Sequence, residues 1–376
     1  MADPQIPFLD LKRVLSFQRD ALVEAATRVI DGGMFVLGEN LAAFETRFAR
    51  LCGVDAVIGV GNGLDALRLT LRAAIDGGRL ARGDEVILPA HTFIATALAV
   101  SDCGLVPVFA DCDPHTALAG VAEFDACRTP HTRAAIAVHL YGQLCEMPAL
   151  QAWCAQHELL LFEDAAQAHG ASLDGLQPGR FGLAAAYSFF PTKNLGALGD
   201  AGGVATCDPA LAEQVRRLRN YGSTEKYIHT ERGLNSRLDE LQAALLLVRL
   251  QRFEAELAER RRLAARYREG LHHPLLQPLA LRTDKPESHA WHLFVVRSPR
   301  RDALQAWLAG HGIGSQIHYP RPIHRQDAYR DTATRPLPHT EALCGEILSL
   351  PLFPGLTDAE QDRVIEACNA FPGQAG

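Results

Sequence analysis

The order of apolar runs predicts an α/β fold with a mainly parallel sheet, followed by a smaller α+β unit at the C-terminal end. Three observations carry this expectation. From residue 56 to residue 218, short apolar runs alternate with stretches of helical period, the alternation that builds a parallel sheet with helices on both faces. The first of these runs ends in a glycine turn that opens a helix, Gly61-Asn62-Gly63-Leu64-Asp65. The chain has 376 residues, more than one core of about 150 residues takes up, so a second unit is expected.

Taken in order, residues 11–31 set Val14, Leu15, Leu22, Ala26 and Val29 on one side and read as one helix. A second helix is expected over 39–51, after Gly38. Residues 56–60 form a short strand that runs into the glycine turn. Strand, turn and helix start together make an anion site, because free N–H groups and the positive helix end point the same way. Taken alone, the same residues also make an ordinary tight turn. Residues 84–89 read as a strand and 91–100 as a helix, with Phe93 at the step between them. There it would either stack on a flat ring or fill the core. Strands follow at 106–110 and 134–140, a helix at 149–157, and a strand at 159–162 that delivers Glu163 and Asp164.

A strand at 184–190 leads to Lys193 and a glycine-rich loop, with 204–207 as its hairpin partner and a helix at 211–218. Asn220-Tyr221-Gly222-Ser223 and residues 231–237 read as loops. A single long helix is expected from Ser236 to about Gly270, apolar early and charged late. The charged part reads as a solvated face. Beyond it, strands at 289–296 and 312–318 and helices at 301–311 and 357–369 make the smaller unit. The boundary is expected within the long helix, giving a large domain over 1–250 and a small one over 251–376.

In such sheets the chemistry gathers at the carboxyl ends of the strands, where Asp164, His139 and the turn at 61–65 all fall. Lys193 sits between an apolar strand and a run of glycines. Burial lowers a lysine pKa and supplies a free amine that forms a Schiff base with a carbonyl. A carboxylate at a strand end keeps a pyridine nitrogen protonated. Pyridoxal 5′-phosphate needs both, because its protonated ring is the electron sink. His139 and His169 read as core histidines rather than catalysts.

Composition narrows the partners. Hydrophobic residues make up 48% and charged residues 22%, with a net charge of −7, which argues against a general nucleic-acid or anionic-membrane surface. No apolar run approaches the roughly 18 residues of a membrane span. The opening stretch, residues 1–10, lacks a basic segment followed by an apolar one, so no signal peptide is expected. Nine cysteines are scattered without a Cys-x-x-Cys pair, the pattern of buried thiols in a reducing compartment rather than of disulfides or a metal site.

Four motifs extend the reading: Gly61-Asn62-Gly63-Leu64-Asp65, the segment 163–170 (Glu-Asp-Ala-Ala-Gln-Ala-His-Gly), Ser188-x-x-x-x-Lys193-x-Leu195-Gly196, and Asn235-Ser236-Arg237-Leu238-Asp239. Together they resemble the sugar-nucleotide aminotransferases of the DegT/DnrJ/StrS type, fold-type I pyridoxal-phosphate enzymes, over nearly the whole chain. The resemblance implies a large domain around a sheet of the seven-stranded type plus a small C-terminal domain. It also implies roles. Lys193 carries the cofactor and moves the proton, Asp164 pairs with the pyridinium nitrogen, Gln167 bonds the ring hydroxyl, and Phe93 stacks on the ring. Gly63 and Leu64 take the phosphate through backbone amides, with the Ser188 hydroxyl, and Asn235 reaches it from the neighbouring subunit of a homodimer. Many relatives carry Thr or Ser where Leu64 stands, so a side-chain bond is lost here, and Asp65 is expected to point away from the phosphate.

His318-Tyr319-Pro320-x-Pro322-x-His324 lies where the family's substrate loop falls, and no metal is implied. Arg237, Arg321 and Lys226 are candidate cations for a sugar diphosphate. The implied reaction is transamination of a dTDP-3-oxo-6-deoxyhexose by L-glutamate, which leaves as 2-oxoglutarate, in the cytoplasm. The alternatives are a 4-aminotransferase on a dTDP-, UDP- or GDP-4-oxo sugar, a dehydratase of the same fold, against which Lys193 argues, and a non-catalytic cofactor-binding regulator.

Overall fold

The computed structural model describes residues 5–332 and 335–372; residues 1–4, the start of the opening stretch considered above, lie outside it. Its centre is a sheet of seven strands in the order β1-β7-β6-β5-β4-β2-β3. These are β1 (Ala56–Val60), β2 (Glu85–Pro89), β3 (Val106–Ala110), β4 (Thr132–Val138), β5 (Leu160–Asp164), β6 (Ala184–Ser188) and β7 (Gly202–Thr206). Strands β3, β2, β4, β5 and β6 run parallel, and β7 is antiparallel to both β6 and β1. The hairpin expected after Lys193 is therefore present. Strands β4 to β7 are buried almost throughout, as a sheet covered on both faces requires.

A two-stranded ladder, β8 (Ser223–Glu225) with β9 (Ile228–His229), replaces part of the expected loop. A three-stranded antiparallel sheet, β10 (Gln277–Pro278), β11 (Phe294–Arg297) and β12 (Ile347–Leu350), lies toward the C-terminal end. Phe294, Val296, Leu348 and Leu350 join Leu263, Tyr267, Leu304, Leu308 and Val364 in an apolar cluster of their own. Among the described residues no helix is long and apolar enough to cross a membrane. All nine cysteines are free, and all but Cys207 are buried.

Several expected elements are corrected. The helix over 11–31 is two helices, Leu11–Ser16 and Arg19–Gly32. Gln18 leaves helical geometry between them; its amide donates to Val248 O at 2.5 Å and accepts from Arg249 at 2.7 Å. The long helix is Glu240–Arg249 and Phe253–Gly270. Arg249 and Glu256, both buried, close on each other across the break at 2.7 Å. The strand expected at 289–296 starts only at Phe294 and runs to Arg297. The segment 312–318 makes single bridges, Ile313 to Ile6 and Gln316 to Ser349, in place of a strand. The helix expected from residue 91 starts at Ala95, because His91 is buried against Tyr141 at 2.8 Å.

Candidate active site

A cavity of about 510 Å³ opens at the carboxyl ends of β4, β5 and β6. Gly63, Leu64, Phe93, Asp164, Gln167, Ser188, Lys193, His318 and Tyr319 all line it. The structure thus brings together nine residues singled out from sequence. Asn235, Arg237, Arg321 and Lys226 do not line the cavity of their own chain. Asn235 bridges Asn220 through the backbone. Arg237 donates to Asn220 Oδ1 at 2.9 Å and lies over Tyr221. Arg321 and Lys226 are exposed.

Lys193 follows β6 by five positions on a loop closed by its own backbone N–H to Phe190 O at 2.8 Å. Its neighbour Asn194 donates to Ala290 O at 2.7 Å and meets His292 at 3.3 Å. The loop is thereby fixed to the segment leading into β11. The ammonium opens onto the cavity but is surrounded by protein. Desolvation lowers its pKa from 10.5 to about 8, against the opposing pull of Asp164.

Asp164 ends β5 and is 7% exposed. Its Oδ2 accepts from the Thr96 hydroxyl at 2.8 Å and its Oδ1 from Ala166 N at 3.1 Å. No ion pair takes up its charge among the described residues. The neighbouring Glu163 is fully occupied elsewhere: it accepts from Gly179 N at 2.8 Å, Gly182 N at 2.9 Å and His139 Nε2 at 3.0 Å. Cys145 N donates to His139 Nδ1 at 3.2 Å, so His139 is a satisfied core histidine, as its sequence context suggests. His169 is a core residue too, enclosed by Phe48, Tyr187 and Phe189.

The floor of the cavity is the start of helix Gly63–Asp76. Asn62 caps it by accepting from Asp65 N at 2.8 Å, which leaves the Gly63 and Leu64 amides without intrahelical partners. A Cβ at Gly63 would lie 2.7 Å from Ser188 Cβ, so only glycine lets the Ser188 hydroxyl sit beside those amides. The Asp65 carboxylate turns to Ser236 Oγ at 2.6 Å and Arg68 at 2.6 Å. It is held away from the free amides by partners that the sequence pattern did not reveal.

Gln167 accepts from Tyr141 N at 2.5 Å and donates to Tyr319 OH at 3.2 Å. Tyr141 OH donates to His318 O, which ties the 318–319 segment to the turn after β4. Gly142 (φ 102°) allows this closeness, since a Cβ there would lie 2.9 Å from Gln167 O. Phe93 is 56% exposed, its ring 5.7 Å from that of Tyr319. Sequence reading missed Asn62, Thr92, Thr192 and His292 as lining residues. Of these only Asn62, inside the glycine turn, carried a local signal.

The residues present fit pyridoxal 5′-phosphate. An amine of lowered pKa, a shielded carboxylate that makes no ion pair among the described residues, and a helix start with two free amides beside a serine hydroxyl face one volume. On this sheet order they define a fold-type I pyridoxal-phosphate enzyme. Residues 18–369 match the DegT/DnrJ/EryC1/StrS aminotransferase family, and the chain belongs to it. It is an aminotransferase that uses pyridoxal 5′-phosphate. The dTDP-3-amino-3,4,6-trideoxy-alpha-D-glucose transaminase of Streptomyces venezuelae is 44% identical over 369 residues, covering 97% of this chain and 95% of that one. The dTDP-3-amino-3,6-dideoxy-alpha-D-galactopyranose transaminase of Aneurinibacillus thermoaerophilus is 43% identical, covering 97% and 99%. The crystal structure of S. venezuelae DesV superposes with a TM-score of 0.94 at 42% identity, covering 99% of this chain and 100% of that one.

Proposed function

We propose that the chain moves the amino group of L-glutamate onto C3 of a dTDP-3-oxo-6-deoxyhexose, giving a 3-amino-3,6-dideoxyhexose and 2-oxoglutarate. The observation that carries this reading is Lys193 facing Asp164 across one cavity, in a chain more than two-fifths identical to two dTDP-3-amino-sugar transaminases. When bound, pyridoxal 5′-phosphate supplies a carbonyl that receives the amino group and a ring that takes up an electron pair. Lys193 would hold the cofactor through its amine and, once released, would serve as the base and acid that moves the proton at the substrate carbon. Asp164 keeps the ring nitrogen protonated, Gln167 holds the ring hydroxyl, and Phe93 covers the ring face. The Gly63 and Leu64 amides and Ser188 hold the phosphate. His318 and Tyr319 orient the sugar; Arg237 and Arg321, which lie outside the cavity of their own chain, are candidate cations for a diphosphate that extends beyond it.

A homodimer in which Asn235 completes the partner's phosphate site belongs to the same reading. Apolar side chains left on the surface at Met34, Phe35, Leu37, Phe190 and Leu198 support a paired subunit. A division at residue 250 into a cofactor domain (1–250) and a small domain (251–376) is supported by the helix break there, while the apolar cluster around β11 and β12 also takes in Ile6 and Val14 from the start of the chain. The enzyme would work in the cytoplasm.

The test is a substrate panel of dTDP-3-oxo, dTDP-4-oxo, UDP-4-oxo and GDP-4-oxo sugars with glutamate. Amination of a 3-oxo sugar that disappears in a folded Lys193→Ala protein supports the reading. Turnover on 4-oxo sugars alone contradicts the C3 assignment.

A further inference from the structure

A second cavity, of about 470 Å³, adjoins the first and shares Thr192, His292 and His318 with it. Phe8, Leu9, Leu293 and Leu352 give it largely apolar walls, and among the described residues Arg260 is the one arginine, lysine or carboxylate that lines it. Arg260 is 5% exposed. Its Nη1 donates to the carbonyls of Trp291 at 3.2 Å, His292 at 3.4 Å and Leu352 at 3.2 Å. Its Nε is buried without a partner, and the hydrogen bonds it makes among the described residues all come from Nη1. The acidic groups of its own helix are committed elsewhere. Glu256 is held by both terminal nitrogens of Arg249 at 2.7 and 3.1 Å, and Glu259 accepts from Gly355 N at 2.9 Å. Among the described residues no carboxylate lies within ion-pair distance of Arg260, the Glu256 and Glu259 charges acting on it only from farther off, whereas a buried charge ordinarily carries a close partner.

The two histidines at the junction do not compete for an anion. Burial, with the Lys193 charge beside it, lowers the His318 pKa to about 4 and takes that of His292 well below the usual range. Both are neutral near pH 7.

We propose that Arg260 receives the side-chain carboxylate of a dicarboxylic amino donor, whose amino group reaches Lys193's cavity past Thr192 and His292. A guanidinium with unused N–H groups in an apolar chamber suits a carboxylate. Placed one chamber away from the reacting centre, it selects the donor by its far end. The inference rests on the aminotransferase reading above and deepens it: it assigns a residue and a chamber to donor recognition, separate from the sugar.

The experiment follows the cofactor's absorbance in the loaded enzyme as L-glutamate, L-glutamine or L-alanine is added, and separately measures the KM of the keto sugar. The wild type should react at far lower concentrations of glutamate than of glutamine or alanine. In Arg260→Gln the half-saturating glutamate concentration should rise by about tenfold or more, glutamate should lose its advantage over glutamine, and the keto-sugar KM should stay within about twofold. Gln316→Glu sets a competing carboxylate in the same chamber on an exposed side chain. It should weaken glutamate selectively, and it keeps the test available if Arg260→Gln does not fold. Unchanged glutamate preference in either folded variant, or equal weakening of donor and sugar, overturns the inference while leaving the aminotransferase reading intact. A wild type inert to every amino acid overturns both.

Discussion

Lys193 illustrates how a residue's surroundings set its chemistry. Its pKa of about 8 follows from desolvation that outweighs attraction to Asp164. In the cofactor-free chain the amine is mostly protonated below that value and free above it. The rate at which the apo protein takes up pyridoxal 5′-phosphate should therefore climb with pH up to about 8 and level off beyond it, as stopped-flow absorbance would record. A rate still climbing toward pH 10.5, the ordinary lysine value, would mean the amine is not desolvated. The chemical residues were legible in the sequence because Lys193, Asp164 and the turn at 61–65 all stand at strand ends, and strand ends can be read from apolar runs. Thr96 beneath Asp164 and His292 beside Asn194 were not legible. Each serves the site through a long-range contact that no local pattern encodes.

At the scale of elements, helix Glu39–Cys52 begins at Gly38, which offers no side-chain cap. Glu240, from the first turn of a helix far along the chain, replaces it. Its carboxylate accepts from Gly38 N at 2.8 Å, Asn40 N at 3.0 Å, Leu41 N at 2.9 Å and Asn40 Nδ2 at 2.9 Å. Glu240→Gln keeps the shape but offers one acceptor oxygen instead of two, so it should cost about 1–3 kcal/mol of stability. A urea titration would show a lowered midpoint at unchanged slope; an unmoved midpoint would mean the borrowed cap does not matter. The strands of the large sheet were the most readable elements, being short apolar runs bounded by turns. Helix interruptions were the least readable. Apolar periodicity continues across Phe17-Gln18 and across 250–252, and both breaks are made by buried polar contacts between segments distant in sequence. The strand Ile347–Leu350 was missed because its partner, Phe294–Arg297, lies far upstream and the run is only four residues long.

For the whole molecule, the proposed assembly makes a distinct prediction. Asn235 lies outside its own chain's cavity, and in the proposed dimer it serves the neighbour. A Lys193→Ala chain and an Asn235→Ala chain, unfolded together and refolded as hybrids, would then form one complete site per dimer. Activity at limiting cofactor should exceed that of either variant alone. If mixing adds nothing over the separate variants, Asn235 does not act across the subunit boundary. The large sheet and its cavity were anticipated as a unit, since strand–helix alternation limits the topology to a few forms. The second chamber around Arg260 was not anticipated. In sequence Arg260 is one of several arginines on a charged helix, and only the fold buries it.

The central claim, that nitrogen passes from an amino acid to C3 of the sugar through Lys193's cavity, is tested most directly by following the nitrogen itself. Glutamate carrying an isotopic nitrogen label would be incubated with the holoenzyme and a dTDP-3-oxo-6-deoxyhexose, and the product read by NMR. The account predicts the label bonded to C3, in amounts matching the 2-oxoglutarate formed, and none with Lys193→Ala. Label at C4, or 2-oxoglutarate formed without labelled sugar, would contradict it.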